Sequence, residues 1–263
     1  MNNDQYNHDL LEAIAMGLRN DEFKMYLQFI VDNKTKKIVS AEALSRWETA
    51  DNVLIFPGKY IGAMEASGMI TTLDYLMLEK ACRKLSEWEN TALGDLSISC
   101  NFTRITLSDV DFVDKVKEII DRYAFDRSKL ILELTEDSIE KDFNIARNNV
   151  FAAKSFGFTV ALDDIGSGYT SLRNLCEYPI DLVKLDRAML LLTATERGQK
   201  LFHGIISLVH SLDMQLVCEG VENEEQNAFV GASDCDFIQG WYYSKGLPEE
   251  QAEDFVKDYM SKF

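Results

Sequence analysis

The chain has 263 residues, 46% of them hydrophobic and 27% charged, and its 44 acidic against 27 basic side chains give a net charge of −17. This is the composition of a folded chain long enough to bury a core of its own, not of a disordered one. The negative balance argues against a nucleic-acid polymer or an anionic lipid surface as partner, since both recruit cationic faces, but it leaves open a small anion held through cations.

Residues 6–20 read as an amphipathic helix, with Leu10, Leu11, Ile14 and Leu18 at helical spacing and His8 among polar, solvated neighbours. Beyond it the pattern alternates. Strand-like runs fall at 23–31, 37–46, 96–101, 130–135, 158–164, 182–186, 215–219 and 235–239, and helical stretches at 73–88, 110–123, 143–156 and 201–211. Eight strands interleaved with helices predict an α/β fold of the TIM-like (β/α)8 type, with 1–20 as an N-terminal helix or connector and 21–263 as the barrel. A doubly wound open sheet is the rival. Its glycine signature would be Gly166-Ser167-Gly168, but Ser171 stands where the third glycine belongs. The first two strands are joined only by 32–36, too short for the crossover that parallel neighbours require, so this pair is expected to be antiparallel.

Several classes drop out. No run reaches the roughly 18 apolar residues of a membrane span, and the start Met1-Asn2-Asn3-Asp4 has neither the basic nor the apolar part of a signal peptide. Five dispersed cysteines without a C-x-x-C pair suggest reduced thiols and a cytoplasmic location. Three histidines and no H-E-x-x-H argue against a histidine-based zinc or serine-hydrolase centre.

Chemistry in such a barrel gathers at the C-terminal strand ends. There the sequence sets Glu42, Asn101, Glu133, Asp163, Lys184, Glu219 and Gln239, with Asp164 and Asp186 close behind two of them. Glu42, Leu44 and Arg46 share one face of their strand, and Glu133 interrupts the otherwise apolar run 130–134. Each residue alone reads as ordinary turn or cap chemistry. Together, converging carboxylates repel unless cations compensate them, and oxygen-only ligands suit Mg²⁺ or Mn²⁺, arranged as the paired metals used on phosphodiesters.

At these residues the sequence resembles the EAL-domain family, bacterial phosphodiesterases that linearise cyclic di-GMP to pGpG. The resemblance rests on Glu42-Ala43-Leu44-Ser45-Arg46-Trp47, the Asn101 strand end, Glu133-Leu134-Thr135-Glu136, Asp163-Asp164-Ile165-Gly166-Ser167-Gly168-Tyr169, Lys184-Leu185-Asp186, Glu219-Gly220-Val221-Glu222 and Gln239-Gly240, in order along residues 23 to 260. It implies a barrel with an antiparallel first strand. Glu42, Asn101, Glu133 and Asp163 would bind one metal, Asp163 bridging to a second held with Asp164 and Glu219. Lys184 would orient the attacking water and Glu219 act as general base; Glu42, Lys184 and Glu219 are thus the catalytic candidates. The resemblance makes Gln28, Leu44, Arg46, Asp186, Glu222 and Gln239 ligand contacts, and gives Glu136, Gly166 and Gly168 the positioning of the aspartate loop. It implies two Mg²⁺ or Mn²⁺ ions, cyclic di-GMP as ligand, a homodimer through 163–177 and an upstream regulatory domain or protein.

Phe29, Ile165, Ser167 and Gly246 depart from the family pattern, which bears on ligand fit and loop order rather than on metal ligands. The competing readings are a silent module that binds cyclic di-GMP or a protein without turnover, and a barrel metalloenzyme acting on another substrate. Trp47, Trp88 and the nine methionines read as core, and Cys100 and Cys218, opposite in parity to Asn101 and Glu219, as facing the helical layer.

Overall fold

The computed structural model describes residues 3–135, 144–166 and 172–262. Its strands are β1 (Phe23–Asp32), β2 (Ile38–Glu48), the two-residue β3 (Leu54–Ile55), β4 (Ser97–Phe102), β5 (Leu130–Thr135), β6 (Thr159–Ile165), β7 (Leu182–Leu185), β8 (Gln215–Cys218), β9 (Phe237–Gln239) and the two-residue β10 (Leu247–Pro248). Around the barrel the order runs β1-β2-β4-β5-β6-β7-β8-β9 and closes on β1, with β3 and β10 appended to β2 and β1. β1 is antiparallel to both β2 and β9, whereas the neighbours from β2 and β4 through to β8 and β9 are parallel.

The inverted first strand follows from its turn. Asp32 accepts hydrogen bonds from the backbone amides of Lys34 (3.0 Å) and Thr35 (2.6 Å), an Asx turn that reverses the chain at once, and Lys36 takes a left-handed φ of 57°. From β2 onward helices intervene: α1 (Asn3–Arg19) precedes β1, and α2 (Ile61–Ser67), α3 (Ile70–Trp88), α4 (Arg104–Leu107), α5 (Phe112–Ile120), α6 (Asn144–Ser155), α7 (Leu172–Glu177), α8 (Arg187–Leu192), α9 (Glu196–Ser211), α10 (Glu224–Gly231) and α11 (Glu249–Met260) follow. The predicted helices correspond to α1, α3, α5, α6 and α9. The short helices escape sequence reading because four to eight residues hold too few turns to display a period. Side-chain caps set the starts of two of them: Asp186 accepts from the Ala188 amide at α8 and Asn223 from the Gln226 amide at α10.

Two apolar layers position the site. The outer one lies between strands and helices and includes Phe23, Trp47, Cys100 and Cys218 from the strands and Trp88 from α3. Ile14 of α1 is fully buried in it, and the exposed His8 pairs with Glu12. The inner layer is a small separate cluster of Ile30, Ile131, Ala161, Leu182 and Val217, with Val39 and Phe237 packed against it. Side chains two residues apart on a strand share a face. Ile131 therefore sits beneath Glu133, Ala161 beneath Asp163, Leu182 beneath Lys184, Val217 beneath Glu219 and Phe237 beneath Gln239. The barrel interior is thus plugged by an apolar floor, and the polar residues above it open toward the C-terminal mouth.

The strand end at Asn101 is fixed from outside the barrel. Buried Asp74 of α3 accepts from the Thr103 amide (3.0 Å), the Thr103 hydroxyl (2.9 Å) and the Thr106 hydroxyl (2.6 Å). Burial raises its pKa to about 6 despite these donors. Asp74→Ala leaves the donors unmatched and is expected to cost about 1–3 kcal/mol of stability by urea denaturation.

A carboxylate ring at the barrel mouth as candidate metal centre

The Lys184 ammonium stands at the centre of the mouth, fully buried. Its Nζ lies 2.8 Å from Glu219 Oε1, 3.2 Å from Glu42 Oε2, 3.2 Å from Glu133 Oε2 and 3.4 Å from Asp163 Oδ1. Two amides complete the hold on Glu42: Asn101 donates Nδ2 to Oε1 at 2.9 Å, and Gln239 donates Nε2 to Oε2 at 2.7 Å. All seven strand-end residues singled out from the sequence therefore meet in one hydrogen-bonded and ion-paired cluster.

Asp163 and Asp164 are consecutive, and on a regular strand they would point to opposite faces. The pairing of β6 with β7 shifts register between Leu162 and Ile165, and Asp164 adopts φ 62°. This irregularity turns both carboxylates the same way, a common use of bulges beside functional sites. As a result, carboxylate oxygens of Glu42, Glu133 and Asp163 lie within 4.8 Å of one another, as do those of Asp163, Asp164 and Glu219. Asp163 belongs to both triads. The following Gly166 has φ 96°, and a Cβ there would stand 2.2 Å from Met189 Cγ, so this position of the aspartate loop requires glycine. Glu136 and Gly168 lie outside the described residues.

One ammonium cannot neutralise this many carboxylates, and the protonation equilibria record the excess. Burial pushes Glu219 up to about 8, reinforced by Asp163 and Glu42 and opposed by Lys184. Burial likewise raises Glu133 well above the carboxylate range, helped by Glu42 and Asp163, and raises Asp163. Asp164 is pushed to about 6 by burial, Asp163 and Asp186. Glu42 alone falls below its ordinary value, because Lys184, Gln239 and Asn101 together outweigh its burial. Lys184 itself is raised well above its usual value, its burial overcome by the surrounding acids.

The donors suit a hard divalent cation. Every charged ligand atom on offer is a carboxylate oxygen, and Glu133 Oε1 and Gln239 Oε1 are buried without a hydrogen-bond partner among the described residues. Buried acceptors left in this way are costly unless something electropositive completes them, and oxygen-only ligand sets fit Mg²⁺ or Mn²⁺.

A cavity of about 340 Å³ opens over the ring, lined by Gln28, Glu42, Asp163, Asp164, Lys184, Asp186, Glu219, Glu222 and Gln239, all singled out from the sequence. Its wall also carries Gly220 and Gly240, which belong to the quoted motifs, and Arg187 and Trp241, which sequence reasoning missed. Each of these two adjoins a motif residue, and that adjacency was the available signal. Asp186 doubles as the cap of α8, and Arg187 pairs with Glu222 at 2.9 Å. Leu44 and Asn101 line a neighbouring cavity of about 660 Å³. Arg46 stands apart from the smaller cavity: its Nη1 donates to the Ser45 carbonyl at 2.8 Å and its guanidinium lies over the Tyr26 and Phe56 rings.

Away from the mouth, all five cysteines are free and only Cys176 is exposed. Burial pushes the Cys82 and Cys235 thiols up to about 12 and those of Cys100 and Cys218 well above their usual value, which makes them inert. No helix among the described residues is long and apolar enough to cross a membrane.

Fold and site define a closed α/β barrel with an acidic mouth suited to divalent cations. The model of the EAL domain matches residues 8–246, and the chain belongs to the EAL domain family. It is 30% identical over 249 residues to the cyclic di-GMP phosphodiesterase NbdA of Pseudomonas aeruginosa, covering 94% of this chain and 32% of that protein. To the signaling protein YkoW of Bacillus subtilis it is 29% identical over 251 residues, covering 95% and 31%. The structure superposes with a TM-score of 0.86 on the PaMucR phosphodiesterase in complex with c-di-GMP, at 28% identity over 93% of this chain and 99% of that one. With an EAL domain protein from Listeria monocytogenes EGD-e the TM-score is 0.82, at 28% identity over 92% and 96%. The chain spans about a third of the length of these curated relatives.

The raised carboxylates give the site a pH signature. Glu219 and Asp164 hold protons in the folded protein that they release on unfolding, so folding stability falls as pH rises from the unfolded carboxylate range toward about 8. In EDTA, thermal melting of the wild type relative to Glu219→Gln is expected to worsen progressively from pH 5 to 8 and then level off. Mg²⁺ or Mn²⁺ is expected to reverse the trend, because a cation replaces the protons.

Proposed function

We propose that the chain is a metal-dependent phosphodiesterase that opens cyclic di-GMP to linear pGpG. The observation that carries this reading is the pair of carboxylate triads sharing Asp163 around the buried Lys184, directly beneath an open cavity. Glu42, Asn101, Glu133 and Asp163 would hold one ion, and Asp163, Asp164 and Glu219 a second. Asn101 donates its Nδ2 to Glu42, so its carbonyl oxygen is the ligand it can offer. Two Mg²⁺ or Mn²⁺ ions supply Lewis acidity there, acidifying water and neutralising phosphoryl charge.

The chain's own groups do the rest. Lys184 holds four carboxylates at fixed separations and directs an ammonium toward the developing negative charge. Gln239 and Asn101 lock Glu42 from two sides. Glu219, raised to about 8 without cations, becomes a competent proton acceptor once bound cations lower its affinity for protons. Gln28, Asp186, Glu222 and Gln239 would meet the ligand on the cavity wall, Leu44 from the adjoining cavity, and Arg46 would bind phosphate, its guanidinium steadied by Tyr26 and Phe56. Glu136, Gly166 and Gly168 would position the aspartate loop.

Relatives named for cyclic di-GMP hydrolysis and the solved complex with c-di-GMP support the choice of ligand. In the same reading residues 21–263 form the catalytic barrel in the cytoplasm, 1–20 act as a connector to a regulatory domain or protein, and 163–177 supply a homodimer contact.

Incubation with cyclic di-GMP and Mg²⁺ or Mn²⁺, followed by chromatography, is expected to yield pGpG, with no product in EDTA. Glu42→Ala is expected to lower kcat by about 10²-fold or more, the scale of losing one group that stabilises transition-state charge. Tight binding with no metal-dependent product would instead favour a receptor without turnover.

A further inference from the structure

Trp241 is the one tryptophan this fold leaves in solvent. The residue is 61% exposed, against 4% for Trp47 and 1% for Trp88. An aromatic side chain of this size normally contributes to burial, so its exposure needs a reason. Fraying is not the reason, because the backbone that carries it is fixed on both sides. The Tyr242 amide donates to the Val221 carbonyl at 3.0 Å, the Ser244 amide donates to the Gly240 carbonyl at 3.0 Å, and Gln28 Nε2 donates to the Ser244 carbonyl at 3.2 Å. Gly240 packs so closely on Val221 that a Cβ would stand 2.0 Å from its carbonyl oxygen. Lys245 Nζ sits over the indole, 5.4 Å from the ring centroid, which steadies the ring and adds positive charge beside it.

The exposed ring lines the same 340 Å³ cavity as Glu42, Asp163, Lys184 and Glu219. We propose that Trp241 is the stacking platform for one purine base of the dinucleotide, so that planar aromatic ligands are selected at this mouth. The proposal rests on the phosphodiesterase reading and adds a specificity determinant to it. A phosphodiester brought to the carboxylate ring carries a nucleoside on each side, and one of them must pass along the cavity wall. Every base has a π-face that an indole can cover, which explains a tryptophan mounted rigidly yet left bare. The Arg187–Glu222 pair on the same wall offers both a donor and an acceptor, the combination that a guanine edge requires.

The test compares the wild-type chain with Trp241→Ala and Trp241→Phe, using cyclic di-GMP and Mn²⁺. Trp241→Ala is expected to raise KM by about tenfold or more, in the range of a lost base–aromatic stack, while kcat changes by less than about threefold. Trp241→Phe is expected to recover most of the KM, since a phenyl ring still stacks. Cyclic di-GMP is expected to quench the wild-type tryptophan fluorescence and to leave that of Trp241→Phe nearly unchanged, because Trp47 and Trp88 are buried. An unchanged KM in Trp241→Ala, or a loss confined to kcat, would overturn the stacking role while wild-type turnover upholds the phosphodiesterase reading. Failure of the wild type to bind cyclic di-GMP would overturn both, whereas binding without cleavage, with the fluorescence of Trp241 unchanged, would also end the stacking role.

Discussion

A single buried ammonium facing four carboxylates is the constraint on which the barrel mouth depends. Lys184 is fully buried, standing above the apolar floor of Ile131, Ala161, Leu182 and Val217. Its partners cannot all ionise around it without strong mutual repulsion in a poorly polarisable interior. Burial, reinforced by this repulsion, pushes Glu219 up to about 8 and the adjacent Asp164 to about 6. A buried ion pair is seldom a net source of stability, since desolvation opposes it. The ring is better understood as a structure awaiting more positive charge. Asn101 and Gln239 fix Glu42, the bulge in β6 turns Asp164 inward, and Glu133 keeps an unpartnered oxygen. Each feature would prepare a ligand in the proposed two-cation centre, and none is explained by packing alone.

Much of this was legible in the sequence because strand periodicity is a strict rule. Glu133 interrupts an apolar strand, and residues two positions apart share a face, so the sequence alone marks the strand-end residues as convergent. The inverted first strand followed from turn length alone. Other features depend on tertiary contacts that a linear pattern does not encode. Nothing in Asp163-Asp164 announces that the second residue takes a left-handed conformation. The capture of Thr103 and Thr106 by Asp74 joins positions about thirty residues apart. The short helices α8 and α10 start at side-chain caps rather than being announced by a period. Phe29 reads from the sequence as a departure bearing on ligand fit, yet it is fully buried and stacks on Phe255 with ring centroids 5.2 Å apart. Its contribution is to dock α11.

The charge of −17 acquires a local meaning. An acidic protein is an unpromising receptor for a dianionic dinucleotide if charge is averaged over its surface. At this mouth the acids are concentrated where they would bind cations, and cations would invert the local potential. The positive groups along the wall, Arg187 beside Glu222 and Lys245 above Trp241, lie where such a ligand would extend beyond the metals. Phosphodiester and base would then be recognised by different chemistry, oxygen-bound cations for the one and an aromatic face with polar edges for the other.

The central claim is that Asp163 joins two carboxylate triads into one two-cation centre. Anomalous diffraction at the manganese edge, from crystals equilibrated with Mn²⁺, tests it most directly. Two peaks are predicted, one among Glu42, Asn101, Glu133 and Asp163 and the other among Asp163, Asp164 and Glu219, with Asp163 touching both. No peak within the ring, or a single peak that Asp163 does not contact, would contradict the account.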